Sequence, residues 1–159
     1  MNTWEIDSIT SLPNFLAAVA RRLPEAHTVS FEMQNACAEA RKVYSKHHSP
    51  AKFRPLRDTL SPKTQLHYCT VSSTLADDLK GLLQSHEIKE LFWHVKGYGD
   101  QRLLFAIHDA DMAHPMCLSA HIEAKIVRAI ASDIGRKPSK LQTGYDWDED
   151  LSQNQKRHR

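Results

Sequence analysis

The hydrophobic residues of this chain change period several times between Leu12 and Ile134, and that switching between helix-type and strand-type spacing restricts it to a mixed α and β fold. Ser11 caps a first helix whose apolar positions Leu12, Phe15, Leu16, Val19 and Leu23 form one face before Pro24. His27 to Met33 then alternates, with Val29, Phe31 and Met33 on one side. Asn35 opens a second helix through Ala36, Cys37, Ala40, Val43, Tyr44 and His47, which Ser49-Pro50 ends. Thr64 to Val71 alternates again. Thr74 with Asp77 has the spacing of a capping arrangement ahead of Leu75, Leu79, Leu82 and Leu83.

Ile88 to Val95 and Arg102 to His108 are apolar on both faces, as central strands are, and Lys96 to Asp100 supplies Gly97 and Gly99 for a hairpin turn. Ser119 caps a last helix with Ile122, Ile126, Ala129, Ile130 and Ile134 on one face, and Gly135 ends it. The expected fold is α+β in the order α-β-α-β-α-β-β-α, with a four-stranded mixed sheet carrying packed helices. Residues 1–138 form the expected domain. Residues 139–159 form a polar tail in which only Tyr145, Trp147 and Leu151 invite burial.

A chain of 159 residues with 41% apolar and 25% charged residues has the composition of a folded domain able to bury roughly two thirds of its unfolded surface. No apolar run reaches the ~20 residues of a bilayer span, and Glu5 and Asp7 stand where a signal peptide carries basic residues. Three widely spaced cysteines without a C-x-x-C pair read as reduced thiols, so a cytoplasmic location without membrane contact is expected. A net charge of +2 does not by itself point to nucleic acid. The stretch from Arg41 to Lys63 is locally basic, however, and includes Lys52, Arg54 and Arg57 with Phe53 among them. Its long segment without periodicity is a candidate contact loop, for a protein or, as an alternative, for nucleic acid.

Chemistry concentrates in His108-Asp109-Ala110-Asp111-Met112-Ala113-His114, which follows a predicted central strand. Two carboxylates two residues apart can share a divalent cation, and Glu32, near the exit of an earlier strand, would complete an acidic triad for metal-dependent phosphoryl transfer. The set resembles the Glu plus Asp-x-Asp of TOPRIM-type nucleases and primases, although Met33-Gln34 replaces the glycine of that pattern. Short acidic side chains equally cap backbone amides in a turn. Cys117 ahead of the last helix is either a helix-activated thiolate or a small packing residue. Tyr98, at the predicted turn tip between two glycines, is the best placed aromatic for a partner. No phosphate-binding glycine loop, dinucleotide fingerprint, nucleophile elbow or H-E-x-x-H pattern occurs, and no cofactor is expected.

The run His94-Val95-Lys96-Gly97-Tyr98-Gly99-Asp100-Gln101-Arg102-Leu103-Leu104, then His108-Asp109-Ala110-Asp111 and Leu118-Ser119, resembles the C-terminal half of small bacterial α+β proteins of the immunity-protein type. The likeness covers residues 88–134 and is one of layout. It implies a non-enzymatic domain that neutralises a toxin by stoichiometric binding, with a contact surface expected at Tyr98, Asp109, Asp111, Arg54 and Arg57.

Overall fold

The computed structural model describes residues 2–7, 11–50, 64–99, 102–110 and 115–142. In chain order its elements are β1 (Asn2–Ile6), α1 (Leu12–Arg22), β2 (Thr28–Met33), α2 (Ala38–Lys46), β3 (Gln65–Thr70), α3 (Ser73–Leu82), α4 (Ile88–Leu91), β4 (His94–Tyr98), β5 (Leu103–Ile107), β6 (Met116–Ser119), α5 (Ala124–Asp133) and β7 (Pro138–Gln142). The strands make one sheet of seven in the order β3-β2-β4-β5-β6-β1-β7. Every neighbouring pair is antiparallel. The fold is therefore α+β, but the expected four-stranded mixed sheet is replaced by a larger, wholly antiparallel one.

The connections account for the missing parallel pairs. Between β2 and β3, α2 carries the chain back until His48 bridges Cys69, yet β3 begins with Gln65 opposite Met33 at the far end. With its start beside the end of β2, β3 runs back antiparallel. Strands β3 and β4 do run parallel, with β2 inserted between them, and β6 and β7 run parallel with β1 inserted. Residues 139–142, placed in the tail by composition, belong to β7 and pair with β1 from Glu5 to Asn2. Lys140 Nζ lies 5.4 Å from the centroid of the Trp4 ring, a cation-π approach across that pair.

Local signals explain the helices. Ser11 and Ser72 each accept a hydrogen bond on the hydroxyl from a backbone N–H three residues on, Asn14 and Leu75 respectively. Ile88–Leu91, expected as strand, is a helical turn, and the Glu90 carboxylate accepts from the Glu87 N–H at 2.7 Å at its start. The last helix begins after Glu123 rather than at Ser119, which lies in β6. It closes with Gly135 at φ 69°, the Gly135 N–H donating to Ser132 and the Arg136 N–H to Ala131, a Schellman arrangement that needs a residue free to adopt left-handed backbone.

All five helices contribute to one core on a single face of the sheet. Phe15 and Leu16 of α1, Tyr44 of α2, Leu75 and Leu79 of α3, Leu91 of α4 and Ile130 of α5 join Val29, Phe31, Val95, Phe105 and Leu118 there. At the centre Gly97 of β4 opposes Phe105 of β5, and a Cβ on Gly97 would lie 1.9 Å from that ring. The ring meets Phe15 edge-on, with centroids 5.0 Å apart at 87°. This contact seats α1 across the middle strands. On the opposite face Tyr98, Leu103 and Ala106 form a smaller cluster with Cys117.

Helices α1 and α5 are also clipped at their ends. Arg22 Nε and Nη2 donate to the two oxygens of Asp133 at 2.9 and 3.0 Å, and Arg21 Nη2 adds a third bond at 3.2 Å. These guanidiniums, Arg22 foremost, push the Asp133 carboxyl down to about 2.

Two measurements check this architecture. Gly97→Ala forces a methyl group into the Phe105 ring and should cost about 3 kcal/mol or more in urea unfolding; the double substitution Gly97→Ala with Phe105→Leu should cost less than the sum of the single changes. Because the Asp133 carboxyl is lower when folded than the ~3.9 of an unperturbed aspartate, its stabilisation is complete above that value and fades as pH falls towards 2. Acid unfolding of Asp133→Asn should lack that component, and the difference should shrink in high salt since the pair is partly exposed.

Candidate functional site

Strands β2, β4 and β5 end side by side, and their termini bring together the polar residues most suited to recognition. Glu32 opposes His94 in the β2–β4 register. Asp109 follows β5 in left-handed backbone at φ 47°, a conformation that Asp and Asn adopt more readily than other non-glycine residues. Its N–H donates to His94 Nδ1 at 3.1 Å, while its Oδ1 lies 3.9 Å from the same nitrogen. An imidazole that accepts on Nδ1 carries its ring proton on Nε2. The His108 ring stands edge-on to His94 with centroids 5.6 Å apart.

Backbone bonds lock this corner. The Trp93 N–H donates to the Glu32 carbonyl and the Ala110 N–H to the Trp93 carbonyl, both at 2.8 Å, so the chain on either side of His94 and Asp109 is tied to its neighbours. Glu32 is buried at 6% exposure, whereas His108 and Asp109 are exposed and His94 half-buried. Trp93 is half-buried and packs against the main core.

Next to this rim, on the helix side, lies an apolar recess of about 170 Å³ lined by Leu12, Leu83, Ile88, Phe92 and Ala110, with Lys80 on its wall. That is comparable to the ~150 Å³ engineered cavity that holds a benzene molecule, room for one apolar side chain. Ala110 joins the two features, being adjacent in sequence to Asp109 and part of the recess wall.

The sequence-derived site residues divide unevenly. Asp109 stands on the rim as expected. Tyr98 does not occupy a turn tip: it lies within β4 opposite Thr28 and Leu103, 2% exposed, in the small cluster on the far face of the sheet. Alternation along β4, with Val95 and Gly97 on the face of the main core, turns Tyr98 to the other side. Arg54, Arg57 and Asp111 lie outside the described residues. Glu32 and Asp109 stand on either side of β4 and His94, and among the described residues they do not join a third donor with all ligand atoms within 4.8 Å.

Cys117 is a strand residue of β6 rather than a loop residue ahead of a helix, and burial together with the Glu5 carboxylate pushes its thiol up, away from thiolate character. Burial likewise pushes the Cys69 thiol up to about 12. Neither is an activated nucleophile. His47 Nε2 lies 2.6 Å from Asp78 Oδ2, and Lys46 Nζ donates to the same oxygen at 2.8 Å, tying the end of α2 to α3. These partners, Lys46 first, hold the Asp78 carboxyl below its usual range. The recess escaped sequence reading because its walls come from three helices and a strand end far apart in the chain. His94 opens the run that carries the immunity-type likeness, but its bond to Asp109 exists only once β4 and β5 pair.

No protein-family model, curated protein or solved structure matches the chain. Among the described residues, no helix is long and apolar enough to cross a membrane.

Proposed function

We propose that this chain is a non-enzymatic binding domain of immunity-like type, which neutralises a toxin by stoichiometric contact through the corner formed by Asp109, His94, His108 and the neighbouring recess. The observation that supports this reading is the adjacency at Ala110 of an apolar recess and a polar rim. Protein interfaces concentrate their energy in an anchor side chain buried in such a pocket, while a surrounding rim sets orientation and excludes water. The rim is held by strand backbone and by the Asp109–His94 bond, so little conformational freedom is lost when a partner docks. The chemistry of the corner selects a partner that offers one apolar side chain for the recess and a basic or hydroxyl donor for the Asp109 carboxylate.

Calorimetric titration with a toxin encoded beside the gene is the direct test. The expected result is a one-to-one complex. Asp109→Asn, which keeps a residue suited to the left-handed backbone while removing the charge, should weaken it about tenfold or more, and Ala110→Leu, which narrows the recess, should do the same. Absence of binding to such toxins, or a complex indifferent to both substitutions, would overturn the reading.

A further inference from the structure

Where the turn after α3 approaches the start of α2, three side chains of metal-ligating type meet. Cys37 is the N-cap residue of α2 but makes no capping bond with its side chain, Glu39 lies in the first turn, and His86 follows the end of α3. One ligand atom from each lies within 4.8 Å of the others. Thiolate, carboxylate and imidazole are the three side-chain classes that proteins use for zinc. We propose that Cys37, Glu39 and His86 form a binding site for a single divalent transition-metal ion, with Zn²⁺ the best match in softness and geometry.

Geometry and surroundings support the assignment. Tetrahedral zinc, with bonds of about 2.3 Å to sulfur and 2.0–2.2 Å to nitrogen or oxygen, needs donor atoms roughly 3.3–3.6 Å apart, so closing from the observed spacing takes about an ångström of side-chain rotation. Cys37 and His86 are half-buried and Glu39 is exposed, which leaves an approach for the ion. The site is also braced. Arg41 Nη1 donates to the Ala36 carbonyl at 2.8 Å, fixing the chain just before Cys37, and the His86 N–H donates to Leu82 at 2.9 Å. Glu90 Oε2, anchored by the Glu87 N–H, lies 3.9 Å from His86 Nδ1.

Three protein donors leave a fourth position for water. The site is independent of the toxin-binding reading, and either can fail without the other.

Cobalt(II) titration of the metal-free, reduced full chain reads the site directly, because a cobalt–thiolate bond gives a charge-transfer absorption that histidine-only binding does not. One equivalent should produce that band with the intense visible absorption of a four-coordinate ion, and Zn²⁺ should abolish both by displacement. Cys37→Ser should remove the charge-transfer band, Glu39→Gln and His86→Ala should each weaken Zn²⁺ binding at least tenfold in calorimetry, and Cys117→Ser should change nothing. Circular dichroism of each variant separates lost ligands from lost fold. Absence of the band at one equivalent, its survival in Cys37→Ser, or Zn²⁺ affinity unchanged by either other substitution would overturn the proposal.

Discussion

The absence of a side chain at Gly97 lets the Phe105 ring lie flat against strand β4, and the rest of the helical layer is arranged around that close approach. The Phe105 and Phe15 rings meet at 87°, which seats α1 over the middle strands. With α1 seated centrally, α3 and α5 pack on its two flanks, and α2 packs beyond α3. The second aromatic group, Phe31 stacked on Tyr44 and Tyr44 on His67, fills the layer under α2 in the same manner. There the Tyr44 hydroxyl donates to the Leu91 carbonyl at 2.8 Å, and burial pushes the phenol well above its usual range. It stays a neutral donor, joining α2 to the short helix α4 that leads into β4.

How far the residues announced this arrangement depends on where the burial came from. Helix α1, strands β2 and β3 and helix α3 were legible because each carries apolar residues at regular spacing; the antiparallel β4–β5 pairing was legible too, but β4 runs His94–Tyr98, through residues expected in the turn, instead of Ile88–Val95. Strands β1, β6 and β7 were not. Trp4 and Ile6 give β1 only two core-facing residues, β6 has four residues in all, and β7 opens with Pro138, a residue tolerated at the first position of an edge strand. Each is stabilised by the neighbours it pairs with more than by a pattern of its own. Ile88–Leu91 misled in the opposite sense: its residues are apolar enough for a strand, but the Glu87–Glu90 bond closes a helical turn. The same limit applies to the site. Asp109 stood out as part of an acidic run, while the recess beside Ala110 and the meeting of Cys37, Glu39 and His86 exist only once distant helices are packed.

The two candidate sites draw on different parts of the scaffold. The rim at His94 and Asp109 is built on strand termini and inherits the rigidity of the sheet, which suits recognition of a preformed partner surface. The Cys37–Glu39–His86 group joins the start of α2 to the turn after α3, where a bound ion would cross-link two elements of the helical layer. Neither uses the thiols of Cys69 or Cys117, which burial keeps protonated.

The continuity of the sheet is what makes the chain one unit, and β1 carries that continuity because it pairs with β6 on one side and β7 on the other. Amide hydrogen exchange followed by residue-resolved NMR tests it most directly. The account predicts that Thr3 to Ile6 exchange slowly, with the cooperative class that includes Val29 to Phe31 in β2. Exchange of those amides at the rate of a frayed amino terminus, with β2 still protected, would contradict a single seven-stranded sheet.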